Sequence, residues 1–490
     1  MRRAFLIILL LLLCYAYVPP RWADWSQTSR LALVRAIVEE RSVRIDSFVH
    51  TTGDYALIDG HAYSDKAPGP ALLAVPAYAA IRLATQADSV QAALSRVANR
   101  GALAATVRPD GAGLGVERVT LALSHYLLTL LVIALPVALG LVALDWLLRR
   151  WFRPGPALLG TLGVGLATPL APYAANFYSH ALVAALLVSA WALIERVYAS
   201  PTRRVWRLIA TGALLGLALI SEYPAVLIAV ILGLYALWRL GWRTTIWIAL
   251  GGLPPLALLI GYDLIAFGTP LPIGYAHSVL WQEQHHSGFM SLTYPRLSGM
   301  WGLLGGLFRG LLVRAPWLLL ALPGAMLWWR SGRQRAPLAI AIASALSLWL
   351  LYSASRMWWG GFGVGPRYII PAIPFAAIPA VWLADRVWSR AFWRRVVLGL
   401  VAISALLVWA EALAGQQFPP DTIANPWLGW TLPAWIGGDV ARNLGMALGL
   451  PGAWSILPLL LGVAILLLLL AHGDRPIPLR RPKPIVAARC

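Results

Sequence analysis

Between residues 54 and 66 the chain gathers Asp54, Asp59, His61, Asp65 and Lys66, interleaved with Tyr55 and Tyr63. Lys66 is the most telling of these, because the chain takes its positive charge almost wholly from arginine. The other lysine is Lys483, in the tail. A lysine where arginine is the default points to a need for a compact ammonium rather than a planar fork. A carboxylate held near a membrane-embedded cleft can be desolvated and act as a general base, and a lysine beside it can hold a phosphate as a point charge. A solvated loop in which Asp65 and Lys66 only neutralise each other is written with the same residues.

The elements that must position this cluster are membrane helices. Of 490 residues, 59% are hydrophobic and 12% charged, and the mean hydropathy is +0.70. A soluble domain carries about 25% charged residues. Repeated apolar runs of roughly 17–25 residues imply an all-α polytopic membrane protein. The net charge of +20 is no case for nucleic acid, because arginine clusters alternate with apolar runs as the positive-inside rule requires. They also suit anionic membrane lipids. Two cysteines, Cys14 and Cys490, exclude a disulfide framework and a cysteine-based zinc site. The charged start and apolar core of residues 1–18 have the form of a signal peptide, but Pro19-Pro20-Arg21-Trp22 follows with no small-residue cleavage site. An uncleaved anchor is expected.

Apolar segments fall near 4–18, 119–147, 156–176, 179–199, 207–221, 224–239, 244–266, 311–329, 336–355, 368–385, 396–414 and 453–471. With the N-terminus inside, the arginine clusters all fall in cytoplasmic loops, joined by only Asp145, Glu195, Asp385 and Asp474 among the twenty acids. That predicts about twelve spans with both ends cytoplasmic. The expected organisation is a first span at 1–18, a large outer loop at 19–118, and spans two to seven at 119–266. An outer loop at 267–310, spans eight to eleven at 311–414, an outer loop at 415–452, a last span at 453–471 and a basic tail at 472–490 complete it. Residues 69–85, broken by Pro70, Pro76 and Arg82, fit an interfacial helix in the first outer loop. Trp22 and Trp25 fit an interfacial aromatic belt.

Most histidines and acids then lie on the outer side, and an active site should face outward. His180, at the mouth of a span, suits acceptor orientation or proton transfer. Glu222 and Asp263 lie near outer helix ends, where intramembrane acids are often functional. His277, Glu283, His285 and His286 match no standard zinc spacing. No metal site is expected there, and the segment is better suited to binding an acceptor.

Several motifs resemble those of the GT-C membrane glycosyltransferases, in particular the protein O-mannosyltransferase and lipid A aminoarabinose transferase branch. Ser29-Arg30-Leu31-Ala32, Ile45-Asp46, Asp54, Gly60 and Tyr63-Ser64-Asp65-Lys66-Ala67-Pro68-Gly69 follow an N-terminal helix as in the family's first outer loop. Trp358-Trp359-Gly360-Gly361 with Gly365-Pro366-Arg367-Tyr368 looks like a second shared segment, and Ser221-Glu222-Tyr223-Pro224, Phe267-Gly268-Thr269-Pro270 and Phe308-Arg309-Gly310 are weaker matches. The resemblance implies a sugar donor linked to polyprenyl phosphate and a glycan, lipid or protein acceptor on the outer face of a plasma membrane. It also implies a single inverting displacement without a cofactor. Lys66 matches the family lysine that contacts donor phosphate. Arg367 could grip the same phosphate bidentately, with the glycines around it letting backbone approach the headgroup. Tyr63, His180, Glu222 and Arg309 are candidates for binding substrate.

One departure stands out. Where the family has a catalytic Asp-Glu ahead of Arg, this chain has Gln27-Thr28-Ser29-Arg30, and glutamine has no proton equilibrium to serve as a base. The base is expected at Asp54, with Asp65 next and Asp46 and Asp24 as further candidates. A polytopic transporter or lipid flippase is the alternative, as is an inactive relative that only binds a lipid-linked sugar.

Overall fold

A computed structural model describes residues 1–21, 24–98, 116–200, 204–270, 274–280, 282–285, 288, 291–332 and 334–473. Trp22, His286 and the tail from 474, including Lys483, lie outside the described residues.

The molecule is a bundle of apolar helices, as its composition requires. Among the described residues eight helices are long and apolar enough to cross a membrane: Arg118–Leu148, Ser179–Ala199, Arg204–Ser221, Trp242–Phe267, Arg335–Ser353, Arg367–Val387, Ala391–Leu413 and Gly452–His472. Each corresponds to an expected segment. The other four expected segments form shorter or interrupted helices. Helix α1 (Arg2–Ala16) and the helix Ala225–Leu240 are short. Segment 156–176 is a helix Pro154–Leu166 followed by a turn and a short helix Leu170–Ala174, because Pro169 at the turn cannot continue the first helix. Segment 311–329 divides into Leu311–Arg314, a tight turn Pro316–Leu320 and Ala321–Arg330, with Pro316 at the break.

Helix α1 packs beside the last helix and beside the span ending at Leu148. At one end of the bundle arginines meet the few acids there: Arg3 and Arg149 pair with Asp145 at 2.5 and 3.0 Å, Arg150 with Glu195 at 3.5 Å and Arg153 with Asp385 at 3.0 Å. The opposite end carries the long connections and the cluster around Lys66.

There the helical bundle, all-α as expected, carries a short hairpin in a connection. Strands β1 (Tyr55–Ile58) and β2 (His61–Ser64) form a two-stranded antiparallel hairpin. Its two-residue turn is Asp59-Gly60, with φ of 51° and 80°. Asp-Gly with both φ positive is the combination that closes a twisted hairpin. Helix α2 (Trp25–Arg35) packs against β2 on one side and against α3 (Gly69–Thr85) on the other. A fourth helix, α4 (Asp88–Ala98), follows.

Candidate functional site

The hairpin register pairs Tyr55 with Ser64, so the residues just outside it, Asp54 and Asp65, face each other at its open end. Lys66 places its ammonium between them. Nζ lies 2.9 Å from Asp54 Oδ2 and 3.1 Å from Asp65 Oδ1. The Asp65 side chain is 1% exposed, and Ser278 Oγ donates to its Oδ2 at 2.9 Å. Ser278 reaches this position because its segment docks on β1, where Val279 N donates to Tyr55 O at 2.9 Å. Burial pushes the Asp65 carboxyl up while Lys66 pulls against it. Burial alone would lower the Lys66 ammonium, but Asp54 and Asp65 outweigh it and hold the group above its ordinary value.

Helix α2 supplies the opposite wall. Asp24 caps it, accepting from Ser26 N at 3.2 Å, which satisfies one of the free N–H groups of the first turn. Its other carboxylate oxygen accepts a hydrogen bond from the Tyr178 hydroxyl, which in turn accepts from Arg367 Nη1 at 3.2 Å. Burial raises the Asp24 carboxyl, offset in part by Tyr178 and Arg367. The inner face of α2 is polar yet buried. Gln27 Oε1 accepts Phe177 N at 2.7 Å and Nε2 donates to Asn176 at 3.4 Å; Ser29 meets Ser64 at 2.8 Å; Arg30 donates to Ser179 at 2.9 Å. Gln27 therefore clamps the turn before the helix Ser179–Ala199, with both ends of its amide in use and no exposed surface.

Between these walls lies a cleft of ≈ 730 Å³ of empty space, its mouth included, lined among others by Arg21, Asp24, Trp25, Asp54, Phe362 and Arg367. Its lining is aromatic with a few convergent charges, the character of a ligand site. The Arg367 guanidinium sits 5.4 Å from the ring centres of both Tyr178 and Tyr368. Gly360, with φ of 74°, lets the loop fold over it: a Cβ there would come within 3.0 Å of Arg367 Nε.

The candidate residues are not all brought together. Asp54 and Arg367 line the cleft. Asp65 does not; it is enclosed behind Asp54, and Lys66 faces the two carboxylates rather than the cleft. Glu222 and His180 form a buried cluster, with Glu222 accepting from Ser179 and lying 3.7 Å from Arg30 and 3.3 Å from His180. Tyr63 packs on Phe267 at 5.6 Å, its hydroxyl accepting from Arg44 at 3.3 Å. Arg309 is fully buried behind the cleft wall, its Nη2 bridging the carbonyls of Gly361 at 2.9 Å and Pro419 at 3.1 Å. It braces two loops. Asp46 pairs with His61 at 2.9 Å on an outer face, Asp263 is buried away from the cleft, and His277 and Glu283 are exposed. Among the described residues no group of three or more His, Cys, Asp or Glu could hold a metal ion.

Sequence reasoning passed over Arg21, Tyr178 and Ser278. Arg21 stands out only as the one charged residue directly after Pro19-Pro20, a rigid exit from α1; the other two carry no local signal.

No protein-family model matches the chain, and no curated protein matches it. Among solved structures, ArnT from Cupriavidus metallidurans bound to undecaprenyl phosphate is similar, with 17% identity over 96% of this chain and 75% of that one and a TM-score of 0.49. Its apo state aligns with 16% identity over 96% and 74%, at a TM-score of 0.48. The oligosaccharyltransferase AglB from Archaeoglobus fulgidus, in complex with an inhibitory peptide and a dolichol-phosphate, aligns with 10% identity over 84% and 56%, at a TM-score of 0.46.

Proposed function

We propose that the chain is a membrane glycosyltransferase that moves a sugar from a polyprenyl-phosphate donor to an acceptor on the outer face of the plasma membrane. One observation carries this reading: a cleft in which a carboxylate steadied by a lysine shares the walls with arginine. Asp54 is the base. One of its oxygens is held by Lys66, and it reaches the cleft, whereas Asp65 is enclosed and both Asp24 oxygens are already engaged by Ser26 and Tyr178. Lys66 keeps Asp54 aimed.

In the reaction the acceptor hydroxyl attacks the anomeric carbon as Asp54 takes its proton. The bond between that carbon and the phosphate oxygen breaks, and its electron pair stays on the phosphate. Arg367 grips the phosphate and stabilises the charge that develops there. No cofactor enters the step. The sequence resemblance in Trp358 to Tyr368 supports the same chemistry, because Arg367 sits in that motif; Lys66, to which the resemblance gives the donor phosphate, is here assigned to Asp54 instead. Transfer of radiolabelled sugar from polyprenyl phosphate by the purified protein tests the reading. Vectorial movement of the lipid with no glycosidic bond made would instead support a flippase.

A further inference from the structure

Three nitrogens of the cleft arginines have no acceptor in the protein: Nε and Nη1 of Arg21 and Nε of Arg367. Arg21 is the more demanding case. It is 7% exposed, and its position is rigid: its backbone N donates to Asn176 at 3.4 Å, its Nη2 donates to Ala412 O, and its guanidinium lies 4.7 Å from the Phe418 ring centre. Burial lowers its pKa to about 10, against the pull of Asp24, so it is cationic at neutral pH. Both Arg21 and Arg367 feel the Asp24 charge, but the Asp24 oxygens are tied to Ser26 and Tyr178 and neutralise neither arginine directly. A buried cation with unused N–H groups costs free energy unless something pairs with it.

We propose that Arg21 is a ligand for the phosphate of the departing polyprenyl phosphate, and that the cleft holds this dianion between Arg21 and Arg367. The proposal rests on the transfer reading above and adds to it which charge state the cleft is built for. The donor is a phosphodiester with a single negative charge, which one guanidinium balances. When the bond from the anomeric carbon to the phosphate oxygen breaks, that oxygen keeps the electron pair and the phosphate becomes a monoester, whose second ionisation lies near pH 6. A second cation is needed only then. An N–H group that meets its acceptor as the bond breaks stabilises the transition state more than the bound donor. Arg21 lines the cleft and carries two such nitrogens.

The test uses the full chain purified in detergent and measures binding of undecaprenyl phosphate, with undecaprenol, which lacks the phosphate, as the control ligand. Arg21→Gln is expected to weaken undecaprenyl phosphate by about ten- to a hundredfold, the loss of one or two hydrogen bonds to a charged group, and to leave undecaprenol unchanged. Arg21→Lys restores part of the affinity, because an ammonium returns the charge without the fork. In the transfer assay Arg21→Gln should lower kcat more than it raises the donor KM. Wild-type affinity of Arg21→Gln for undecaprenyl phosphate overturns the assignment and leaves the transferase reading standing. An equal loss for undecaprenol also overturns it, because the residue is then packing the wall. If Arg21→Gln fails to fold, Arg21→Lys decides: a phosphate-specific loss supports the proposal and unchanged affinity for both ligands refutes it. A wild-type protein that binds neither ligand overturns the transferase reading and this inference together.

Discussion

Replacing Lys66 by Met removes an ammonium that two carboxylates share, and the structure sets the size of the loss. At 2.9 and 3.1 Å each contact is worth roughly 5–6 kcal/mol of Coulomb attraction at an effective dielectric of about 20. Desolvation offsets most of that while the pair is intact, but removing one partner strands the other, at about 3–5 kcal/mol for a buried pair. Asp65 is the stranded group, left with Ser278 alone. The Lys66 and Asp54 side chains are 13% and 11% exposed, so water reaches the vacated space and the lower end applies: about 3 kcal/mol of stability. Two readouts separate structure from chemistry. Thermal unfolding in detergent reports the stability loss, and the double variant Lys66→Met with Asp65→Asn, which removes one charge of each sign, should recover most of it. Sugar transfer should not recover. Asp54 is no longer aimed, so kcat should fall about 10²-fold or more while the donor KM changes little. Wild-type kcat in the double variant refutes the role of Lys66 in holding the base. A raised donor KM at unchanged kcat refutes it differently, by placing the donor phosphate on Lys66 itself.

Asp54→Asn should reduce transfer by about 10²–10⁴-fold and leave undecaprenyl phosphate binding at wild-type strength; substantial residual transfer would move the base elsewhere. Gln27→Ala should cost about 1–3 kcal/mol in thermal unfolding, because it leaves the buried Phe177 N–H without its acceptor. Gln27→Glu should not speed transfer, since the position is enclosed, and a faster variant would show that residue 27 reaches the cleft after all. The folded-state pKa of Lys66 lies above its ordinary value of about 10.4. Its contribution to stability is therefore complete below that value and lost only as pH rises through the higher folded-state one. The stability gap between wild type and Lys66→Met should then stay constant from pH 7 to about 9, and a gap that shrinks within that window contradicts the pairing.

The apolar helices were legible because they are written as local runs of apolar side chains, contiguous in sequence, and among the described residues eight of the expected segments are helices long and apolar enough to cross a membrane. All twelve expected segments contain helices, and the four that are short or broken contain the prolines or the length that make them so. Asp59-Gly60 carried a hairpin signal that the helical composition around it masked. The cluster from Asp54 to Lys66 was also legible as a place for chemistry. Which of its carboxylates faces the cleft was not, because the hairpin register puts Asp54 and Asp65 on either side of Lys66, and only the packing of Ser278 against β1 closes Asp65 off.

Gln27 marks the same divide. Its residue type excludes it as a base from sequence alone, but its task as a clamp on the Phe177 turn exists only once α2 lies against that turn. Arg21 and Arg367 come from opposite parts of the chain and share one cleft because the exit of α1, the end of the helix Ala391–Leu413 and the start of the helix at Arg367 converge at one end of the bundle. The sequence by itself determined a membrane bundle with its ionisable residues gathered in a few connections. Tertiary structure alone decided which of those residues share the cleft, because hydropathy acts along the chain, whereas the pairing of charges depends on distances that only the packed helices set.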